Sequence, residues 1–244
     1  MCTVMFAWRW RDDVPLVLAA NRDELLTRPS DPPLLLQETP PLWGGRDRLA
    51  GGTWLAVDPA GRVCAVTNRH PGGRLPTRDP ARRTRGGIPT ETLAGGTDQA
   101  ALARLSDLAA SDYNPVNVLY LSGDAASWVA LDDEVGRSNG SLAAGIHVLT
   151  EQDPDDRASD KTQRLADAAT AAAALAVDAE DLRDRFTEIL RSHDRPAGPE
   201  SAACIHHDVF GTVSSATVVV AADEVSFRHA EGPPCVTPYR QVLG

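Results

Sequence analysis

Residues 1–24 read MCTVMFAWRWRDDVPLVLAANRDE, two apolar runs joined by an acidic corner and closed by four consecutive polar side chains. Thr3 to Trp10 carries Val, Met, Phe and Trp, and Val14 to Ala20 is a second apolar run, so Asp12-Asp13 between them turns a hairpin. In such a hairpin the end of the second strand lies beside the start of the first. Asn21-Arg22-Asp23-Glu24 is thereby delivered to the neighbourhood of Cys2. Methionine removal favours a small second residue, so a processed chain begins with a free cysteine. An α-amine titrates at about 7.7–8.0 and a thiol at about 8.5; on one residue they make a nucleophile with its own general base. The Arg22 guanidinium lowers the pKa of a neighbouring thiol, and the Asp23 carboxylate orients the amine or accepts its proton. The competing reading is structural: a small hydrophobe at position 2 and a solvated salt-bridge corner.

Outward from this hairpin, residues 28–41 hold five prolines and are expected as an irregular surface loop. Trp54 to Asp58 and Arg62 to Asn68 form a second hairpin around Asp58-Pro59-Ala60-Gly61. Asn68 ends its strand, where an amide N–H can face a developing oxyanion; an Asn there is also an ordinary turn former. Residues 71–87 are a long Gly/Pro/Arg-rich loop. Pro89 to Ala110 is expected as one helix with Thr90 as its cap. Strands follow at Asn117 to Leu121, Ser127 to Leu131 and Ile146 to Thr150. Ser159 caps a helix running to Leu175, and a second helix spans Ala179 to Arg191. A terminal hairpin pairs Thr212 to Ala222 with Glu224 to Ala230, turned near Asp223. Paired strands with a block of helices make this α+β, a single domain over 1–244.

Composition narrows the function. Lys plus Arg total 24 against 34 acids, a net charge of -10, so the basic footprint of a nucleic-acid binder is absent. The apolar run Ala168 to Val177 is too short to span a bilayer, and charges at Arg9, Arg11, Asp12 and Asp13 break up any leader-like segment. The expectation is a cytoplasmic protein without membrane insertion. Cys2, Cys64, Cys204 and Cys235 form no CxxC pair, against a zinc knuckle or a disulfide framework. His206 and His207 follow Cys204, but adjacent residues on a strand point to opposite faces, so no metal is assigned. The glycine pairs match neither GxGxxG nor a Walker loop. Trp43 and Trp54, beside Gly pairs, are the candidates to line an opening.

Met-Cys-Thr at the start, NRDE at 21–24, GGRD at 44–47, GGTWLAV at 51–57, TNR at 67–69, TRGG at 84–87, YNPVNVL at 113–119 and GTVSS at 211–215 together resemble the NRDE family, also called the transport and Golgi organisation family. The resemblance implies an N-terminal nucleophile hydrolase fold, a four-layer αββα sandwich of two antiparallel sheets between helices. By similarity to the bile-salt and penicillin V acylases of that superfamily, Cys2 is the nucleophile, flanked by Arg22 and Asp23. Asn68, with Asn114 or Asn117, is expected to stabilise an oxyanion. The chain departs from the family's pattern at Glu151, where an Asn is expected. The implied activity is cleavage of a non-peptide C–N amide through a Cys2 thioester, with no cofactor. The alternative is carriage of haem or lipid in the same pocket, with Cys2, His70 or His147 as an axial ligand. The partner is accordingly a small-molecule amide or haem.

Overall fold

The computed structural model describes residues 2–198, 201–221 and 224–244. In chain order the strands are β1 (Cys2–Arg11), β2 (Val14–Leu25), β3 (Ser30–Glu38), β4 (Pro41–Asp47), β5 (Leu55–Val57), β6 (Val63–Asn68), β7 (Val116–Leu121), β8 (Ala126–Asp132), β9 (Gly136–Ser141), β10 (Gly145–Leu149), β11 (Phe210–Ala221), β12 (Glu224–Ala230) and β13 (Arg240–Leu243). The α-helices are α1 (Ile88–Leu93), α2 (Asp98–Ser106), α3 (Asp160–Leu175) and α4 (Ala179–Leu190). The chain divides into two compact units.

The first unit comprises 2–28, 144–150 and 154–244. Its six-stranded antiparallel sheet runs β10-β1-β2-β11-β12-β13. The expected N-terminal hairpin is its centre: β1 and β2 pair from Cys2↔Arg22 to Arg11↔Val14. One face of the hairpin, with Met5, Ala7, Val17 and Ala19, packs on Leu165 and Ala169 of α3 and Leu182, Phe186 and Leu190 of α4. Side chains alternate along a strand, so Cys2, Val4, Ala20 and Arg22 lie on the opposite face. Ser159 caps α3 as expected, and Asp178 does the same for α4. Ser159 Oγ accepts from Thr162 N–H at 3.3 Å and Asp178 Oδ1 from Asp181 N–H at 2.8 Å, each satisfying a donor that the helix leaves open. The expected turn near Asp223 lies outside the described residues.

The second unit, 29–143 with 151–153, holds a seven-stranded antiparallel sheet in sequential order from β3 to β9. Its core joins Cys64, Val66, Val118, Tyr120 and Val129 of the sheet to Ile88, Leu93 and Leu105. Three expectations are corrected here. The proline-rich segment is a strand, β3, despite Pro32 and Pro33. It lies at the sheet edge, and its register with β4 slips between Asp31 and Leu34, which is where prolines without ladder N–H groups are tolerated. The single helix expected from Pro89 to Ala110 is two, α1 and α2, broken at Gly95-Gly96, where Gly96 takes φ 64°. Thr90 sits inside α1 and donates to Gly87 O; it is no N-cap.

The glycine motifs of this unit are packing devices. Gly52 has φ 79°, and a Cβ there would come 2.2 Å from Gly86 O. Thr53 N–H donates to the same carbonyl at 2.8 Å. GGTW and TRGG thus meet backbone to backbone, at a distance only glycine permits.

Candidate active site

Cys2 opens β1 directly opposite Arg22 of β2, and directly opposed residues share a face of the sheet. Cys2 is 8% exposed and Arg22 7%, so thiol and guanidinium lie together in a largely dry setting. Burial pushes the Cys2 thiol above its ordinary range; the Asp23 charge adds to this, while the Asp23 backbone and the Arg22 charge pull it back. At neutral pH Cys2 is therefore a protonated thiol that needs a base before it can attack. Arg22 is incompletely engaged. Its Nη2 is 4.0 Å from Glu24 Oε2, which also faces Arg28 Nε at 3.6 Å. Its Nη1 is buried and has no hydrogen-bond partner among the described residues.

The four residues of the NRDE corner divide their labour. Asn21 is a bolt: its Nδ2 donates to Leu190 O at 3.0 Å, at the end of α4, and to Ala203 O at 2.8 Å. Asp23 faces β11, where Thr212 Oγ1 donates to Asp23 Oδ1 at 2.6 Å. Arg22 faces Cys2, and Glu24 pairs with cations at the rim. Neither the bolt nor Thr212 is legible in the corner alone, because both partners lie more than 150 residues further on. The available signal for Thr212 was the GTVSS stretch at 211–215.

In the second unit, Asn68 and Asn114 line one cleft of about 120 Å³ with Arg69, His70, Arg78 and Arg85. Asn68 closes β6 opposite Val116. The Asn114 amide is committed on both atoms, Oδ1 accepting from Asp79 N–H at 2.7 Å and Nδ2 donating to Asp79 O at 2.9 Å. It pins the 71–87 loop as a backbone pair would. Asn117 is buried and equally engaged: Nδ2 reaches Thr67 Oγ1 and Gln152 O, and Oδ1 accepts from Arg69 Nη1 at 3.1 Å. Arg69 is the hub of this network, with Asp132 Oδ2 at 2.7 Å and Asp153 Oδ1 at 2.6 Å. Burial raises the Asp132 carboxyl, but the Val135 and Glu134 N–H groups and Arg69 outweigh it and hold the group below the usual carboxylate range. Sequence reasoning missed Arg69, although TNR at 67–69 contains it.

Trp43 lies on β4 between Leu35 and Val57, and Trp54 packs against the core of the second unit; neither lines the Asn68 cleft. Glu151 accepts from His70 N–H through its carbonyl, and its Oε2 is buried without a partner among the described residues. His147, in the first unit, holds Asp155 Oδ2 through Nδ1 at 2.6 Å.

The family model of transport and Golgi organisation 2 matches residues 1–231. The chain belongs to that family. Transport and Golgi organisation 2 homologues of mouse and human are each 28% identical to it over 133 residues, 49% of this chain. The chain spans 44% of the length of the curated relatives it matches. Among solved structures, a Caenorhabditis elegans N-acylethanolamine-hydrolyzing acid amidase ortholog superposes with a TM-score of 0.58 at 11% identity, covering 89% of this chain and 92% of its own. The C2A mutant of the conjugated bile acid hydrolase of Clostridium perfringens gives 0.51 at 8% identity, covering 100% and 97%. This member of the transport and Golgi organisation 2 family thus has the N-terminal nucleophile hydrolase fold, α+β with two antiparallel sheets, as the resemblance implied. No helix among its described residues is long and apolar enough to cross a membrane.

Proposed function

We propose that the chain is an N-terminal cysteine hydrolase that cleaves a non-peptide amide through a thioester on Cys2. The observation that carries this reading is the Cys2↔Arg22 pairing, which sets a buried thiol beside a guanidinium whose Nη1 has no partner among the described residues. A buried donor left open deserves an explanation, and a developing oxyanion supplies one. The fold is shared with an N-acylethanolamine-hydrolyzing acid amidase ortholog and a conjugated bile acid hydrolase, which supports hydrolytic chemistry here.

The steps balance as follows. Once Cys2 carries a free α-amine, that amine takes the thiol proton. The thiolate sulfur attacks the amide carbon, forming a C–S bond and an oxyanion that Arg22 balances. Collapse breaks the C–N bond, and the departing amine takes the proton held by the α-amine. Water then attacks the thioester, the α-amine again receiving a proton, and releases the acid while restoring the thiol. Asp23, fixed by Thr212, orients the amine.

The test is turnover of a panel of N-acylethanolamines and conjugated bile-acid amides, with mass spectrometry of the quenched enzyme. The expected result is hydrolysis by wild type, an acyl adduct on Cys2, and loss of both in Cys2→Ser. Stoichiometric binding of haem or lipid with no adduct and no hydrolysis would overturn it in favour of a carrier.

A further inference from the structure

Away from Cys2, three segments of the first unit converge. His193 follows α4, Cys204 and His206 precede β11, and Cys235 lies between β12 and β13. One ligating atom from each of the four lies within 4.8 Å of all the others. We propose that His193, Cys204, His206 and Cys235 form a tetrahedral structural zinc site.

The geometry carries the assignment. A tetrahedral zinc with Zn–S of about 2.3 Å and Zn–N of about 2.0–2.1 Å separates two thiolates by about 3.8 Å and a thiolate from an imidazole nitrogen by about 3.6 Å. Cys204 Sγ and Cys235 Sγ are 3.6 Å apart; His206 Nε2 is 3.5 Å from Cys204 Sγ and 3.3 Å from Cys235 Sγ. Three of the six edges are therefore already within about 0.3 Å of the required lengths. His193 meets His206 edge to face, ring centroids 5.0 Å apart and planes at 72°, and its ligating nitrogen lies within 4.8 Å of the other three ligating atoms. His207 stays outside the group, as alternation along an extended segment requires; the second imidazole comes from His193.

The backbone holds these segments together without the ion. Cys204 N–H donates to Ser192 O at 2.9 Å, Arg191 Nε to Pro234 O at 3.1 Å, and His206 forms an antiparallel bridge with Gly211. Two soft sulfurs and two imidazoles suit zinc, which has no geometric preference of its own. A disulfide explains the pair less well. Its sulfurs would sit about 2.05 Å apart, and it gives no reason for two imidazoles to converge on the same point. Binding replaces two S–H bonds by two Zn–S bonds and releases two protons, with no electron transferred.

The site bears on the catalytic corner. Ala203 O accepts from Asn21, and Ile205 N–H donates to Thr212 Oγ1, which holds Asp23. Cys204 stands between these two anchors, so a metal there stiffens the backing of the NRDE corner.

The experiment uses the full chain, purified with a phosphine reductant and stripped with a chelator, then titrated with zinc chloride or cobalt(II) chloride. One equivalent per chain is expected, with cobalt giving thiolate charge transfer and the visible bands of a tetrahedral site. The exposed positions permit variants that keep the fold: His193→Ala and His206→Ala should each weaken zinc binding at least tenfold, while His207→Ala should not change it. Wild type that is folded by circular dichroism yet takes up no stoichiometric cobalt would overturn the site. So would unchanged affinity in His206→Ala and Cys235→Ser, or a Cys204–Cys235 disulfide persisting under the reductant.

Discussion

Thr212 gives its hydroxyl proton to Asp23 Oδ1 at 2.6 Å and receives the Ile205 N–H at 2.9 Å. A residue 189 positions further along the chain thus fixes the carboxylate beside the candidate nucleophile. The charge on Asp23 raises the Cys2 thiol and that on Arg22 lowers it. Asp23→Asn should therefore move the alkylation profile of Cys2 to lower pH, and Arg22→Met should move it to higher pH. Rates of modification by a small alkylator, read at Cys2 by peptide mass mapping, check both signs. Shifts in the same direction would show that neither charge acts on the thiol.

Asn21 is expected to matter for stability rather than chemistry. Asn21→Ala leaves the Leu190 and Ala203 carbonyls without their side-chain donor, at a cost of about 2–4 kcal/mol. In a chain of this size that lowers Tm by roughly 5–15 °C. Asn21→Asp should be worse, since a carboxylate cannot donate to two carbonyls. Scanning calorimetry measures both; an Asn21→Ala melting curve superposable on wild type would remove the bolt from the argument.

Gly52→Ala forces a side chain into a left-handed backbone and against Gly86 O. About 3 kcal/mol of destabilisation is expected. Gly51→Ala, also at positive φ but with nothing within 4 Å of its Cβ, should cost only the backbone part. Denaturant melts of the two variants separate strain from collision.

His229 supplies the pH dependence. Burial lowers its imidazole to about 4, so the folded chain keeps it neutral where the unfolded chain, at about 6.5, takes up a proton. Stability from this group is complete above about 6.5 and falls as pH drops towards about 4. His229→Gln should flatten the decline in Tm across that window. An equally steep decline in the variant would assign the acid sensitivity to other groups.

How far the sequence could be read follows from the range of each interaction. The first hairpin and its delivery of Arg22 to Cys2 were legible because a two-strand register is a local matter. The α+β class followed from the same kind of local pattern. Strand β3 was hidden because its prolines argue against a strand unless it is known to be an edge, and edges are decided by the whole sheet. The clustering of His193 and Cys235 with Cys204 and His206 was hidden for a related reason. No short spacing joins them, and the local pattern showed only His206 beside His207, which alternation directs apart. Asn114 and Asn117 stood out only as oxyanion candidates within the YNPVNVL motif; that both amide atoms of each are engaged depends on Asp79, Arg69, Thr67 and Gln152.

The order of strands in the first sheet also sets a schedule. β1 is flanked by β2 and by β10, which begins at Gly145, and β2 is flanked in turn by β11, which begins at Phe210. On a ribosome adding about 5–20 residues per second, β11 follows β1 by roughly ten to forty seconds. Until β10 is made, roughly seven to thirty seconds after β1, the segment bearing Cys2 has at most a hairpin partner, and it stays accessible to enzymes that trim nascent chains. The strand bearing Cys2 is flanked on both sides only once β10 has joined it, while β2 waits longer for β11.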